Sequence, residues 1–429
     1  MTCGASDAKS AATMSAQEQN RSVFSVTVVV AALGYFVDIF DLQLFNLVSK
    51  KSLLGIGITD DALVKQYDYL LFLWQMGGML IGGLVWGILG DRLGRKSTLF
   101  GSILLYSLAN IANGFVTTLP QYEAVRLLAG LGLAGELGAA ITLVSETMHR
   151  ESRGWGTMVV VTVGALGAVA ANLVSQNFTW QTSYFVGGGL GLALLALRVG
   201  TFESSMFNKV KGENVTRGDF LSLFRSRPTA IKYVACIFVG LPVWFVIGIL
   251  IKFSDTFAQA TGVTGKVFPG DAIMYAYLGL SVGDFISGAL SQWLRSRRKV
   301  VFTYLAATVV LTLAYVFVQA LSVAAFGLLC FLLGAATGYW ALFVTIASEQ
   351  FGTNIRATVT TTVPNFVRGA VIPLVLSYKS LETSQGSVHA ALIVGAVSLA
   401  LAFAATWVLA ETFGKDLDYT EEASSTPLG

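Results

Sequence analysis

The chain alternates long apolar stretches with short polar segments over most of its length. A helix needs about 20 apolar residues to cross the hydrocarbon core of a bilayer, and the apolar stretches are of this length. We therefore predict an all-α protein that spans the lipid bilayer with twelve transmembrane helices. They are expected at residues 23–48, 69–90, 97–117, 120–145, 157–177, 183–201, 229–252, 272–293, 299–320, 323–347, 358–379 and 388–410.

A longer polar segment separates the first six spans from the last six. The predicted organisation is a tail (1–22), a six-helix bundle (23–201), a linker (202–228), a second six-helix bundle (229–410) and a C-terminal tail (411–429). Most Lys and Arg residues fall on the side of the N-terminus, and such residues concentrate on the cytoplasmic side of membranes. We expect a multi-pass protein of the cell (inner) membrane with both termini in the cytoplasm.

The amino-acid composition supports a membrane protein and argues against a soluble or nucleic-acid-binding one. Hydrophobic residues make up 54% of the chain and charged residues 12%, with a mean hydropathy of +0.68. Soluble domains carry about 25% charged residues. A net charge of +3 is too small to indicate a nucleic-acid partner. The three cysteines and two histidines are scattered, so we predict neither a disulfide framework nor a metal site.

A basic turn, Gly90-Asp-Arg-Leu-Gly-Arg-Lys96, connects the second and third spans. With Gly87 before it, the string G-x-L-x-D-R-x-G-R-K resembles the signature loop of the major facilitator superfamily of transporters. Asp91 can accept hydrogen bonds from a neighbouring helix N-terminus. The resemblance implies a gate between two halves, formed here by Gly87, Asp91, Arg92, Gly94, Arg95 and Lys96. The alternative is an ordinary positively charged loop.

Similar charged motifs occur at equivalent positions in the two halves of the chain. Glu146 and Arg153 follow the fourth span, and Glu349 and Arg356 follow the tenth at the same spacing. The turn after the second span also recurs, in degenerate form, after the eighth. The superfamily uses two parallel halves of this kind. We expect these four residues to form ion pairs of the gate, although solvated surface charge is the simpler alternative.

Charged residues inside the spans are candidates for ion coupling. Asp38 and Asp41 lie on one face of the first helix, and charge at that depth costs about 3 kcal/mol or more, so this face is expected to line a cavity or meet a cation. Arg126 in the fourth span is the expected partner of Asp41. Glu136 lies in Gly130-Leu-Gly-Leu-Ala-Gly-Glu-Leu-Gly138, which resembles a stretch of metabolite:proton symporters. The alternative for all four is structural pairing.

Arg368 lies near the middle of the eleventh span and needs an anion. Asp284 in the eighth span is one candidate, and a substrate carboxylate is the other, because arginine binds carboxylates through two parallel hydrogen bonds. Asn365 lies one turn before Arg368 on the same face. Tyr35, Trp244, Tyr275 and Trp340 are further candidates for substrate contact, with ordinary helix packing as the alternative.

Two late segments extend the resemblance to the end of the chain. Phe202-Glu-Ser-Ser205 and Glu411-Thr-Phe-Gly-Lys-Asp-Leu417 are similar to landmarks of the sugar and aromatic-acid members of the superfamily. The paired glutamines that sugar carriers have in the seventh span are replaced here by Gly240-Leu-Pro-Val-Trp244. The resemblance therefore favours the metabolite:proton and organic (aromatic) acid symporters.

The predicted function is proton-coupled symport of a small organic anion or zwitterion by alternating access. We expect a monomer without a cofactor, driven by an ion gradient, because no nucleotide-binding loop is present. The alternatives are a sugar or phosphate symporter, a proton-driven exporter of drugs or metabolites, sodium coupling, and a membrane sensor that does not transport. No pattern of a nucleophile and a base indicates an enzyme.

Overall fold

The computed structural model describes residues 26–148, 153–198 and 220–414 and is built from helices within them. The helices are α1 Val26–Gly55, α2 Asp61–Leu93, α3 Arg95–Asn113, α4 Leu119–Leu133, α5 Glu136–Thr147, α6 Arg153–Ala165, α7 Gly167–Asn177, α8 Trp180–Leu197, α9 Arg227–Phe245, α10 Ser254–Ala260, α11 Pro269–Leu294, α12 Arg297–Phe317, α13 Val323–Ala336, α14 Trp340–Gln350, α15 Arg356–Gly369, α16 Val371–Gln385 and α17 Ser387–Val408. A π-helical turn, Val246–Ile251, continues α9. We call the face of the bundle that carries the connection between α2 and α3 the turn face, and the other the opposite face.

Nine helical segments among the described residues are long and apolar enough to cross a membrane. They confirm a multi-pass, all-α membrane protein. The count of twelve spans stays a prediction, because the helical segments at 95–113, 119–147 and 180–197 are not among these nine. The proposed tail 1–22, most of the linker and residues 415–429 lie outside the described residues, as does His149.

Helices extend further than the apolar pattern predicts. The first was expected to end at residue 48 and ends at Gly55, and the second was expected to begin at residue 69 and begins at Asp61. Hydropathy locates the part of a helix that lies in lipid, whereas capping determines its end. Asp60 accepts hydrogen bonds from the backbone amides of Ala62 and Leu63, both 2.9 Å, and so starts α2 early.

Four predicted spans are broken near their middle. The breaks lie at 134–135 between α4 and α5, at Leu166 between α6 and α7, at 337–339 between α13 and α14, and at Ala370 between α15 and α16. Two breaks fall in each half of the chain, at equivalent spans. Irregular backbone at membrane depth is tolerated where it is covered by protein. A β-carbon on Gly338 would lie 2.5 Å from the backbone of α11, which covers that break.

The two halves meet along α1, α2, α5, α6 and α7 of the first half and α11, α14, α15 and α16 of the second. Glycine permits the closest approaches. A β-carbon on Gly138 would lie 2.5 Å from the backbone of Thr361, and one on Gly87 would lie 3.2 Å from the backbone of Thr358. These contacts bring α15 of the second half against α2 and α5 of the first.

The C-terminal end of α17 is fastened to the turn face. Glu411 accepts hydrogen bonds from the Ser296 hydroxyl (2.6 Å) and the backbone amide of Arg297 (3.0 Å) at the start of α12. Burial alone would raise the pKa of Glu411, but these bonds and those from the amides of Phe413 and Arg298 lower it below its usual value. The acidic residue of the late landmark therefore has a structural role.

Close packing within the second half is open to a direct test. A β-carbon on Gly334 in α13 would lie 1.9 Å from the backbone oxygen of Ala276 in α11, whereas one on Gly189 in α8 would meet nothing within 4 Å. We expect Gly334→Ala to destabilise the protein by about 1–3 kcal/mol. Gly189→Ala should be neutral or slightly stabilising. Melting temperatures in detergent measure both, and equal values would contradict the close approach of α11 and α13.

Candidate functional site

A buried ion pair joins the two halves at the centre of the protein. Arg368 of α15 approaches Asp38 of α1, with Nη2 3.4 Å from Oδ2, and both side chains are almost fully removed from solvent. The guanidinium also lies 5.9 Å from the centre of the Trp340 ring. Sequence analysis left Asp284 and a substrate as the candidate anions for Arg368. The structure gives Asp38 instead, because α1 and α15 face each other across the interface between the halves.

Asn365 supports this arginine. Its side-chain oxygen accepts a hydrogen bond from Arg368 Nη1 (3.5 Å), and its Nδ2 donates to the carbonyls of Ala134 and Thr361, both 2.7 Å. Ala134 lies in the break between α4 and α5. A β-carbon on Gly83 would lie 2.8 Å from the β-carbon of Asn365, so glycine is needed for α2 to approach here. Asn365 thus connects Arg368 to the broken fourth span.

A small cavity of about 20 Å³ lies beside the ion pair, which is room for about one water molecule. It is lined by Tyr35, Ile39, Ala165, Val243, Trp244, Ile247, Tyr277, Leu280, Trp340 and Arg368. A substrate larger than water therefore needs a conformational opening before it reaches Arg368. Tyr35, Trp244 and Trp340 line this cavity, as expected from the sequence, and their contact with substrate stays a prediction.

Tyr275 does not line this cavity, so that expectation is wrong for the observed conformation. Tyr275 is 41% exposed and its ring packs near Gly327, whereas Tyr277 lines the cavity and receives a 2.6 Å hydrogen bond from Gln43 Nε2. Residues two apart on a helix point in nearly opposite directions. Aromatic composition alone could not decide which of the two tyrosines faces inward.

Arg126 and Asp41 do not form the expected ion pair. Arg126 Nη1 donates to the hydroxyl of Tyr184 at 3.4 Å, and its guanidinium lies 4.9 Å from the centre of the Phe45 ring. Neither carboxylate oxygen of the buried Asp41 has a hydrogen-bond partner among the described residues. The Arg126 guanidinium instead lies against the faces of Phe45 and Tyr184, which attract a cation.

Glu136 is held by an arginine near the end of the predicted span 183–201. Arg198, directly after α8, donates to both carboxylate oxygens of Glu136 at 2.6 and 2.9 Å and to the carbonyl of Val30 at 3.0 Å. Both charged side chains are buried. Hydropathy placed Arg198 at the end of a span, where a long side chain can turn towards water or back into the bundle. Glu136, at the start of α5, thereby joins α1, α5 and α8.

The turn face is closed by contacts to the N-terminus of α15. Asp91 Oδ2 accepts hydrogen bonds from the backbone amide (2.7 Å) and hydroxyl (2.6 Å) of Thr358, and the Thr358 hydroxyl lies 3.3 Å from the Gly87 carbonyl. This is the contact with a helix N-terminus that was expected for Asp91. Gly94 has a φ of 96°, which suits glycine between α2 and α3. The gating role of these residues stays a prediction.

The second half has its own ionic contacts at this face. Arg297 donates to both oxygens of Glu349 at 2.7 and 2.8 Å, and both side chains are buried. Arg356 donates to the carbonyls of Ser348 (3.2 Å) and Phe351 (3.3 Å). Arg92 is exposed. The side chains of Arg95, Lys96, Glu146 and Arg153 lie outside the description.

The carboxylate of Asp284 has a hydrogen-bond partner within its own half of the protein. Its Oδ1 accepts a 2.9 Å hydrogen bond from the backbone amide of Ala341, in the first turn of α14. The N-terminus of a helix stabilises an anion. Asp284 therefore stabilises the helix break at 337–339. It does not balance the charge of Arg368.

The opposite face carries a second contact between the halves, which sequence analysis missed. Lys252, after the π-helical turn, lies 3.3 Å from Asp68 of α2, and its amine donates to Asn46 Oδ1 of α1 at 3.1 Å. Asp68 also accepts a hydrogen bond from Ser49. Lys252 is the last residue of the predicted span 229–252, and no local pattern links it to Asp68, 184 positions away. Both faces are thus closed around the central pair.

A family model described as Major Facilitator Superfamily matches residues 31–375. The chain belongs to the major facilitator superfamily. Its fold is similar to that of the proton:xylose symporter XylE bound to 6-bromo-6-deoxy-D-glucose, with a TM-score of 0.72 over 91% of this chain and 97% of that chain, at 14% sequence identity. The protein is accordingly a transporter and not an enzyme.

Similar curated proteins of the superfamily include transporters of organic acids. The 3-(3-hydroxy-phenyl)propionate transporter of Escherichia coli K12 is 31% identical over 230 residues, which is 51% of this chain and 54% of the relative. The probable 4-methylmuconolactone transporter of Cupriavidus pinatubonensis is 26% identical over 402 residues, 91% of this chain and 92% of the relative. The gentisate transporter of Corynebacterium glutamicum is 25% identical over 284 residues, 62% of this chain and 60% of the relative.

The Glu136–Arg198 pair predicts a large effect on stability. Arg198→Met leaves a buried carboxylate without its cation, and breaking such a pair costs about 3–5 kcal/mol. We expect a clear fall in melting temperature, and the double variant Arg198→Met/Glu136→Gln should regain part of it. Lys299→Met, at an exposed lysine, is the control and should melt like the wild type. An unchanged melting temperature for Arg198→Met would contradict the assigned pair.

Proposed function

We propose that this transporter carries a small organic anion together with a proton. The observation that carries the proposal is the buried Asp38–Arg368 pair between the halves, 3.4 Å apart at the wall of the central cavity. In this proposal Arg368 binds the substrate carboxylate and Asp38 binds the proton, and the two side chains are in direct contact. The relatives named as transporters of 3-(3-hydroxy-phenyl)propionate and gentisate support a carboxylate substrate.

Substrate and proton are coupled through competition for Arg368. A substrate carboxylate binds the guanidinium by two parallel hydrogen bonds and displaces Asp38, which now makes one contact of 3.4 Å. A displaced carboxylate at this depth costs on the order of 3 kcal/mol or more. Binding a proton removes that charge, so Asp38 takes up a proton when the anion binds. The charge of the cavity is then the same with and without its cargo.

The other side chains that line the central cavity suit a substrate with a planar apolar body. Tyr35, Trp244, Tyr277 and Trp340 surround the arginine, and aromatic rings bind flat apolar groups while their polar edges give orientation. This favours an aromatic or unsaturated acid over a sugar. The π-helical turn after Trp244 widens the helix beside the cavity, a feature that is frequent at functional sites.

The other buried acids have different roles in this proposal. Glu136 is already neutralised by Arg198 and fixes the broken fourth span, so we assign it a structural role. Asp41 has no hydrogen-bond partner among the described residues and lies on the same helix as Asp38, so it is the second candidate for proton binding. Arg126 supplies a positive charge to this region and lowers the cost of an ionised Asp41.

Alternating access follows from the two closed faces. Asp91 and Thr358 hold the turn face, and Lys252 and Asp68 hold the opposite face. Opening one set of contacts at a time would connect the central cavity to one side only. We propose that the protein works as a monomer in the inner membrane, with both termini in the cytoplasm and a proton gradient as its only energy source.

Arg368 gives a direct test of the substrate class. In proteoliposomes, we expect uptake of 3-(3-hydroxyphenyl)propionate or gentisate, and no uptake of xylose. Arg368→Ala should reduce uptake at least 100-fold, since it removes a hydrogen-bonded charge contact of several kcal/mol, whereas Arg368→Lys should keep part of it. Uptake of the acids by Arg368→Ala at the wild-type rate would contradict the proposal.

Asp38 gives a test of the proton coupling. Asp38→Asn resembles the protonated side chain, so it should lose proton-driven uptake yet retain exchange of labelled for unlabelled acid across the membrane. Asp284→Asn is the matched control, because asparagine keeps the oxygen that accepts the Ala341 amide, and it should retain proton-driven uptake. A pH-sensitive dye inside the liposomes records the proton movement. Proton-driven uptake by Asp38→Asn would show that another group carries the proton.

A further inference from the structure

A second, larger cavity lies at the opposite face of the protein. Its volume is about 380 Å³, which is within the range of sites for small molecules. It lies between the ends of α1 and α2 in the first half and the segments around α10, α11 and α16 in the second. It is separate from the central cavity, since the two have no lining residue in common.

The wall of this cavity carries an excess of positive charge. Four lysines and two aspartates line it: Lys50, Lys65, Lys252, Lys379, Asp68 and Asp255. Lys50 lies 3.7 Å from Asp255, and Lys379 lies 2.7 Å from Glu382. Lys65 is exposed and has no carboxylate within 4 Å among the residues that the structure describes. The lysines outnumber the aspartates in the wall, and such an excess of positive charge attracts anions.

Lys252 is a buried charged group in the wall of this cavity. Its side chain is 7% exposed, and its amine contacts Asp68, Asn46 and the face of the Phe72 ring, which is 4.7 Å away. All three partners belong to the first half, whereas Lys252 belongs to the second. The amine is therefore both part of the cavity wall and the contact that holds the halves together at this face.

We propose that this cavity is a binding site for small organic carboxylates, and that an anion bound there replaces Asp68 as the partner of Lys252. The exchange breaks the contact between the halves at the opposite face, so that the arriving anion itself unlocks the path to the centre. Lys65 holds the anion at the rim, and Lys252 receives it at the base. The onward movement to Arg368 rests on the proposed function, whereas binding in the outer cavity does not.

The chemistry of the wall favours a monocarboxylate. Lysine amines bind oxygen anions as point charges and need no planar geometry. Phe253, Tyr69 and Ile273 supply apolar surface beside the charges, which suits the body of an organic acid and gives no stabilisation to chloride or sulfate. A neutral molecule of the same shape lacks the attraction to the lysines.

Chemical labelling of one position in the cavity tests the proposal. Gln259 is exposed and lines the cavity, so Gln259→Cys is introduced into a Cys3→Ser background, in which Cys236 and Cys330 are buried. The rate of modification by a membrane-impermeant thiol reagent is measured in the full-length protein with and without benzoate. We expect benzoate to slow the modification at least threefold, whereas benzamide, sodium chloride and sodium sulfate at the same concentration do not.

Three variants separate this site from the central one. Protection by benzoate should persist in Arg368→Ala, and it should be lost in Lys252→Met and weakened in Lys65→Gln, whose exposed side chain does not affect folding. Ser384→Cys, at an exposed position outside the cavity, should show no protection. Loss of protection in Arg368→Ala, protection by sulfate, or wild-type protection in both lysine variants would overturn the proposal. Protection without any transport of organic acids would contradict the proposed function and leave the outer site intact.

Discussion

The central constraint on this molecule is a guanidinium group that is almost completely buried between two halves of a membrane protein. Arg368 needs an anion at all times, because an isolated charge in a medium of low dielectric constant is very costly. In the observed conformation, Asp38 supplies that anion from the other half. In the proposed function, the same requirement lets a carboxylate substrate bind there and makes its arrival change the charge of Asp38.

The proposed function requires this pair to be reached from one side at a time, and broken spans and polar contacts between the halves suit that requirement. The fourth, fifth, tenth and eleventh spans are each broken near the middle. The breaks next to Ala134 and Ala341 are held by hydrogen bonds to Asn365 and Asp284, respectively. Short helical segments can move independently at such points. The contacts of Asp91 on one face and of Lys252 on the other are polar, so they can be exchanged without disrupting the apolar core.

Much of the fold could be predicted from local sequence, whereas the pairing of the buried charges could not. Hydropathy and the turn at 90–96 indicate the class, and the intramembrane positions of Asp38, Glu136 and Arg368 mark them as special. Their partners depend on which helix faces lie opposite each other. Arg198 and Lys252 lie at the ends of predicted spans, where a long charged side chain can reach water, yet both turn into the protein and pair with acids distant in sequence.

The helix breaks could not be predicted from the apolar pattern either. The stretches 120–145 and 323–347 are apolar throughout their breaks, and hydropathy does not change where backbone hydrogen bonds change. Tyr275 and Tyr277 show the same limit for side chains, since both are aromatic and only helix orientation separates them. The resemblance to a known family indicated the architecture, and the geometry was needed to assign partners within it.

The most direct test of the account is the number of protons taken up when a carboxylate binds. Titration calorimetry of 3-(3-hydroxyphenyl)propionate into the purified protein, in buffers that differ in ionisation enthalpy, measures this number without any membrane. Competition for Arg368 predicts net proton uptake with each bound acid, and its loss in Asp38→Asn with binding retained. Binding of the acid with no proton uptake at any pH would contradict the coupling of substrate and proton through this pair.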